Sequence, residues 1–203
     1  QTRTFPDLIK GVRGTSNKSH ISENLIKAIL RAKHEIYVNK DVTTRYDCTE
    51  QPITHFKSKE IHTSVGKLKE LGYDKDIFGK ELVDEDQVLE LYPQDIILPG
   101  YDFLEGSGPR ILFQAANFMD ELMVKFYDAK PFYNLKSKED LAGHLVIGLA
   151  PHTSAGLVGR IIGYSEGQGL LAHPMYHAGL RRDCDGDEAA VMLLMDALIN
   201  FSR

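Results

Sequence analysis

Residues 181–188 most restrict how this chain can fold, because they place three aspartates on alternate positions. Asp183, Asp185 and Asp187 follow two arginines, and Gly186 separates the last two aspartates. In an extended loop alternate side chains point the same way, so the three carboxylates can converge on one point. Converging carboxylates repel one another strongly unless a cation lies among them. We therefore expect this segment to form a loop around a cation.

The residue types in this segment favour magnesium and phosphate. Carboxylate oxygens are hard ligands, and Mg²⁺ typically takes one or two of them and leaves its other positions to water and phosphate. Arginines placed directly before the loop suit a polyanionic ligand. The candidate metal ligands are Asp185, Asp187 and Asp183, and the candidate phosphate-binding residues are Arg181, Arg182 and Arg160.

Two other interpretations of the acidic segment compete with a magnesium loop. An EF-hand requires glycine at its sixth position and glutamate at its twelfth, where this chain has Glu188 and Leu194. The calcium loop is therefore excluded. The second alternative is a solvated acidic turn that caps a helix over the apolar run Ala189–Met195, since carboxylates favour helix N-termini.

The composition is that of an ordinary globular chain, with 203 residues and 42% hydrophobic residues, enough for one large or two small domains. No apolar run approaches the roughly 20 residues of a membrane span, and no signal peptide is visible. Two distant cysteines, Cys48 and Cys184, form neither a disulfide framework nor a CxxC pattern, which fits a reducing intracellular location.

The net charge of −5 is not that of a typical nucleic-acid binder, although local charge governs such binding. Because the chain starts at Gln1 and ends directly after a helical run, we expect it to be part of a longer polypeptide.

Periodicity predicts a mixed α/β region followed by a β-rich one. The expected elements are a helix over 25–33, a hairpin over 35–46, a short helix over 64–71, strands over 88–91 and 95–98, a long helix over 111–126 with an apolar core stripe, and β-rich runs over 145–149 and 157–164.

Histidines near the acidic segment raise the possibility of zinc. His173 and His177 have a ligand-like spacing, and His152 and Cys184 would complete a set. Zinc bound through Cys184 would pull the loop away from a magnesium role, and Pro174 disrupts a regular helical face. Structural histidines or phosphate contacts are the favoured interpretation.

Several motifs together resemble the large subunit of archaeal family D DNA polymerase. The most specific similarity covers 143–202 and includes Gly143–Gly156, Val158–Gly163, Ala172–Pro174, the acidic loop, Met192–Leu198 and Asn200–Ser202. Weaker similarity extends upstream through Ile9–Val12, Ile29–Lys33, Pro52–Lys57 and Lys69–Tyr73. The resemblance covers essentially the whole chain.

The resemblance implies an α+β fold in two regions. Residues 1–142 would form a mixed helix and hairpin region, and residues 143–203 would form part of the second double-psi β-barrel, with the acidic loop and a following helix. This barrel type is shared with cellular multisubunit RNA polymerases, whose Asp-Phe-Asp-Gly-Asp loop resembles Asp183–Asp187 here.

The resemblance also implies DNA-directed DNA polymerase activity in archaeal replication, with two Mg²⁺ ions as cofactor and Asp185 and Asp187 as the principal ligands. The family commonly carries asparagine at the position of Asp183. Because basic residues of a preceding barrel complete the site, this chain alone is expected to be inactive. A non-catalytic nucleic-acid-binding or assembly module that retains the loop, and an RNA-synthesising relative, remain alternatives.

The partners implied are primer-template DNA, deoxynucleoside triphosphates, the remainder of the large subunit, a small proofreading subunit and a sliding clamp. The implied location is the cytoplasm, at the archaeal nucleoid, with no membrane association.

Overall fold

A computed structural model describes residues 24–38, 43–100, 108–151, 153, 155–183 and 185–200. Two compact units are present, one formed by residues 1–46, 110–138 and 192–203 and the other by residues 47–109 and 139–191. Within the described residues the helices are α1 (Leu25–Lys33), α2 (Val65–Glu70), α3 (Gly108–Lys125), α4 (Pro174–Gly179) and α5 (Leu194–Asn200). The strands are β1 (Tyr46–Pro52), β2 (His55–Lys57), β3 (Val88–Glu90), β4 (Asp95–Pro99), β5 (Leu145–Leu149), β6 (Leu157–Ser165), β7 (Gly169–Ala172) and β8 (Glu188–Leu193), and short 3₁₀ helices cover Ser58–Ile61 and Lys138–Leu141.

Six strands close into a barrel in the order β1-β7-β4-β6-β5-β8. Its pairing is mixed: β1 with β7 and β4 with β6 are parallel, whereas β4 with β7 and β5 with β6 are antiparallel. The α+β class is confirmed, and the closed mixed barrel is consistent with the double-psi type. Strands β1 and β4 come from before residue 143, so the barrel is built from both regions into which the sequence was divided.

Close packing of glycines against one tyrosine fixes α4 on the barrel. The Tyr176 hydroxyl donates to the Leu157 carbonyl at 3.1 Å, and its ring fills the space beside Gly148 and Gly159. A Cβ at Gly148 would lie 2.5 Å from the Tyr176 oxygen, and one at Gly159 would lie 2.8 Å from it. The two glycines therefore leave room for the buried Tyr176 ring, so α4 packs closely on the strands and places His177 beside them.

The same unit contains a second core beside the barrel. The two-stranded sheet β2–β3 and α2 bury apolar residues together with Ile97 and Ile162 of the barrel strands. Ser64 begins α2, because its hydroxyl accepts from the backbone of Lys67. The buried residues of this core are Phe56, Ile61, Leu68, Tyr73, Leu82, Leu89, Leu91, Ile97 and Ile162.

The other unit is mainly helical. Asn24 caps α1 by accepting from the backbone of Ile26 at 3.0 Å. Most of the predicted apolar stripe of α3 is buried, namely Leu112, Ala115, Ala116, Met119 and Leu122. Met123 is half-buried, and Phe126 is exposed beyond the end of the helix. Among the residues that the structure covers, every helix lacks the combination of length and apolar character that a membrane crossing would require.

Most predicted elements are confirmed, but two are wrong. The described parts of the predicted hairpin over 35–46 contain no strand over 35–38 or 43–45, and 39–42 lie outside the described residues. Strand β1 begins only at Tyr46 and pairs in parallel with β7, which is distant in sequence. The apolar run after the acidic loop begins as β8, not as a helix, so the helix-cap interpretation of that loop is also wrong.

Candidate functional site

Three carboxylates from two parts of the chain meet beside the barrel. Glu50 lies on β1, and Asp185 and Asp187 lie in the loop before β8. One carboxylate oxygen from each lies within 4.8 Å of the others. Glu50 is buried, Asp187 is half-buried and Asp185 is exposed. This cluster, which we call the acidic triad, is the group of three or more possible metal ligands found within the described part of the chain.

Strand β1 holds the upstream member of the triad. Its residues alternate between exposed and buried, so Cys48 and Glu50 point inwards while Asp47 and Thr49 point outwards. Parallel pairing sets Glu50 opposite Leu170 of β7, and the Glu50 N–H donates to the Asp187 carbonyl at 3.0 Å. This backbone bond fixes the start of β8 against β1.

The turn between the two loop aspartates depends on glycine. Gly186 has a φ of 96°, in the left-handed region that side chains rarely adopt. The loop can therefore reverse between Asp185 and Asp187 and present both carboxylates to Glu50.

A buried histidine touches the buried glutamate. His177 Nδ1 lies 3.1 Å from Glu50 Oε2, and neither side chain is exposed to solvent. The other ring nitrogen, Nε2, lies 3.2 Å from the Gln51 carbonyl oxygen. Because a carbonyl can only accept, Nε2 carries a hydrogen and donates it. The ring thus hydrogen-bonds to Gln51, and it lies at ion-pair distance from Glu50 without hydrogen-bond geometry.

The two arginines before the loop have different surroundings. Arg182 is half-buried, and its guanidinium lies 3.2 Å from Asp187 Oδ2. Arg181 is exposed and has a φ of 61°, an uncommon conformation for a residue with a side chain. Asp183 is exposed and lies outside the acidic triad. Arg182 is thus engaged with the site, while Arg181 faces solvent beside it.

Arg160 is held by a different carboxylate. Its Nε and Nη2 donate to the two oxygens of buried Asp95 at 2.8 and 2.7 Å, which raises the pKa of Arg160. Tyr73 also donates to Asp95 at 2.6 Å, and burial followed by the Asp95 charge raises the pKa of Tyr73. The structure therefore brings Arg160 together with Asp95 across β4 and β6, and its hydrogen bonds do not reach the acidic loop.

The residues considered for zinc do not converge where the structure describes them. His173 caps α4 by accepting from the backbone of Met175 at 3.2 Å, and His177 faces Glu50. His152 and Cys184 lie outside the described residues. Cys48 is buried beside the triad, where desolvation, and then Asp47 and Glu188, raise the pKa of its thiol to about 12. Burial thus favours the protonated form of this thiol.

Sequence reasoning did not find Glu50, and it considered His177 as a zinc ligand, a structural histidine or a phosphate contact, not as a neighbour of Glu50. A local signal for Glu50 did exist: a charged residue sits on the inward face of the alternating stretch Tyr46–Pro52. The alternation predicts that Glu50 is buried. It does not predict which residues surround Glu50, because Asp185 and Asp187 are more than 130 residues away in the sequence.

Comparison with known proteins gives consistent matches. The profile of the family described as DNA polymerase II large subunit DP2, catalytic domain, matches residues 1–203. Proteins named DNA polymerase II large subunit are similar over nearly all of this chain. The relative from Archaeoglobus fulgidus is 58% identical over 197 residues (97% of this chain and 17% of the relative), and that from Nanoarchaeum equitans is 55% identical over 211 residues (98% and 17%). The relative from Pyrococcus furiosus is 55% identical over 197 residues (97% and 15%). The chain thus spans about a sixth of their length, and the family resemblance found in the sequence is confirmed.

Proposed function

Because this chain belongs to the DNA polymerase II large subunit DP2 catalytic-domain family, we propose that it carries the acidic metal-binding part of a DNA-directed DNA polymerase. The observation that carries this proposal is the convergence of Asp185 and Asp187 with a third carboxylate within 4.8 Å. Asp185 and Asp187 lie just before β8 and are partly open to solvent, so a polyphosphate substrate can reach them.

The donor set fits a hard divalent cation. All three side chains of the acidic triad offer carboxylate oxygens, the ligand type that Mg²⁺ prefers. The repulsion among three close carboxylates is itself relieved by a cation. Asp185 and Asp187 would hold the metal, and Asp183, which is exposed outside the triad, would contribute charge to the loop.

The reaction is nucleotidyl transfer. The 3′-hydroxyl oxygen of a primer forms a bond to the α-phosphorus of an incoming deoxynucleoside triphosphate, the bond from that phosphorus to the bridging oxygen breaks, pyrophosphate leaves and the hydroxyl proton passes to solvent. Mg²⁺ ions held by Asp185 and Asp187 would supply activation of the attacking oxygen and neutralisation of charge on the leaving one.

The three arginines have different proposed roles at the site. Arg182 orients Asp187 through its ion pair at 3.2 Å. Arg181, exposed beside the loop, would contact phosphate of the nucleotide or of the template. A phosphate contact by Arg160 stays a prediction, and it would have to compete with the two hydrogen bonds to Asp95.

The complete enzyme would need more than this chain. Its proposed partners are primer-template DNA, deoxynucleoside triphosphates, the rest of the large subunit, the small proofreading subunit and a sliding clamp, acting at the nucleoid in the cytoplasm. Alone, this chain is expected to bind metal without extending primers.

Primer extension by the complete polymerase tests the proposal. Asp185→Asn and Asp187→Asn each keep the side-chain volume but remove a ligand charge, so extension is expected to fall by orders of magnitude while DNA binding persists. Glu188→Gln removes an exposed charge next to Asp187 and is the matched control, with extension expected to be retained. Near-normal extension by both aspartate variants would leave a non-catalytic binding or assembly module as the function.

A further inference from the structure

The glutamate of β1 is an unusual residue for a buried position in a barrel. Glu50 is fully buried, and removing a carboxylate from water is strongly unfavourable unless it is paired. The other inward residue of β1 is Cys48, which packs as a small apolar group and donates to the Ala189 carbonyl. Packing alone therefore does not explain a carboxylate side chain at this inward position.

The surroundings of Glu50 point its carboxylate towards the acidic loop. One oxygen lies within 4.8 Å of oxygens of both Asp185 and Asp187. The backbone bond from Glu50 to the Asp187 carbonyl holds the strand at that distance. The positions of Asp185 and Asp187 depend on the turn at Gly186. The position of Glu50 is instead fixed by the pairing of β1 with β7.

The surroundings of His177 orient that carboxylate. Its Nε2–H donates to the Gln51 carbonyl, which fixes the plane of the ring. The same ring places Nδ1 3.1 Å from Glu50 Oε2, an ion-pair distance without hydrogen-bond geometry, so it restrains the carboxylate by direct contact. The ring itself cannot shift easily, because its neighbour Tyr176 is wedged against two glycines of the barrel. Outer partners of this kind commonly orient a metal-binding carboxylate, and their loss typically lowers metal affinity by about 10–100-fold.

We propose that Glu50 is the third carboxylate of the metal centre, and that His177 is the positioning residue that aims it at Asp185 and Asp187. This inference rests on the proposed metal-binding function of the loop. Glu50 lies on a strand and contacts a buried imidazole, so it gives the centre one rigid ligand. The two loop aspartates lie beside it.

Mn²⁺ binding to the full chain at fixed pH tests the proposal without any need for polymerase activity. Free Mn²⁺ is quantified by electron paramagnetic resonance for Glu50→Gln and His177→Gln, and Glu188→Gln serves as the matched charge-removing control. We expect the dissociation constant to rise about 10-fold or more for Glu50→Gln and for His177→Gln, and to be nearly unchanged for Glu188→Gln. Equal affinities for Glu50→Gln and Glu188→Gln would overturn the assignment of Glu50.

The double variant Glu50→Gln/His177→Gln separates positioning from general structural damage. If His177 acts through Glu50, removing it after Glu50 has been replaced should weaken Mn²⁺ binding no further. A loss of equal size in both backgrounds would overturn the positioning role. Melting in EDTA checks folding, and if Glu50→Gln is unfolded, Glu50→Asp, which keeps the charge but shortens its reach, is expected to show the same loss of affinity.

Asp185→Ala/Asp187→Ala distinguishes this inference from the function on which it rests. Loss of Mn²⁺ binding in that variant, with wild-type affinity in Glu50→Gln, would leave the loop site standing and reject only Glu50. Unchanged binding in both would reject the loop site as well.

Discussion

Glu50 and Asp187 are joined through their backbones, with the Glu50 N–H donating to the Asp187 carbonyl at 3.0 Å. Their side chains lie in the same acidic triad. A single hydrogen bond between β1 and the loop before β8 thus sets the spacing between a strand carboxylate and a loop carboxylate. Metal binding in this protein should therefore depend on the closed barrel as well as on the loop sequence.

Removing both loop ligands should abolish the metal site of the isolated chain. We expect Mn²⁺ to bind weakly, because the substrate phosphates that would complete its coordination shell are absent. Paramagnetic broadening of backbone resonances should centre on the loop and on β1 around Glu50. In Asp185→Ala/Asp187→Ala the broadening should disappear at the same Mn²⁺ concentration, and an unchanged pattern would place the site elsewhere.

The loop was predictable from sequence because its information is local. Alternating aspartates indicate the ligand type within a few residues, and Asp185 and Asp187 do lie close together. The extended loop that would bring all three aspartates together is not found, because Gly186 adopts the left-handed conformation and Asp183 lies outside the acidic triad. The long helix was equally accessible, since the apolar stripe of α3 repeats over several turns and most of it is buried as expected.

The remainder of the site was not predictable because it is set by distant pairing. The alternation of polar and apolar residues around Tyr46 does not tell whether a strand pairs with the next segment of the chain or with a distant one. A hairpin was therefore predicted, whereas β1 pairs in parallel with the distant β7. The short apolar run after the loop fits a buried strand as well as a helix, and period alone does not separate the two. Glu50 and His177 meet only once the barrel has closed.

In the helical unit, Glu121 should make stability depend on pH. Its carboxylate contacts Lys125, and accepts from Lys33 at 2.6 Å and lies 2.6 Å from His34 Nε2. Burial alone would raise the pKa of Glu121, but these three partners together lower it to about 2, from an ordinary value of 4.5. The folded protein therefore favours the ionised form, and this contribution is fully present above pH 4.5 and is lost as pH falls towards 2.

Glu121→Gln should lower the free energy of unfolding at pH 7 by about 1–2 kcal/mol, a value reduced by the solvent exposure of the two lysines. Urea denaturation from pH 7 down to pH 3 measures the difference from wild type, which should shrink as the wild-type carboxylate protonates. Glu90→Gln, on an exposed position of β3, is the control and should show little effect at any pH. A difference that stays constant between pH 7 and pH 3 would contradict the ion-pair explanation.

Gly163 should tolerate no side chain, because β6 runs directly against another backbone there. A Cβ at this position would lie 2.5 Å from the Ile61 carbonyl oxygen and 2.6 Å from Thr63 Oγ1. Gly163→Ala should therefore destabilise the protein by about 1–3 kcal/mol. Gly66→Ala is the matched control, since nothing lies within 4 Å of its Cβ position in α2, and it should raise stability by up to about 1 kcal/mol. Equal melting temperatures for the two variants would show that the strand can move away.

Asp183 should prove to be a neighbour of the metal centre and not a ligand. It is exposed and lies outside the acidic triad, although it begins the alternating pattern. Asp183→Asn keeps the volume and removes one charge, so the Mg²⁺ concentration for half-maximal extension by the complete polymerase should stay close to the wild-type value. Without metal, one fewer charge relieves repulsion within the loop, so melting in EDTA should occur at an equal or higher temperature. A large rise in the Mg²⁺ requirement, with no gain in the metal-free melt, would instead make Asp183 a third loop ligand.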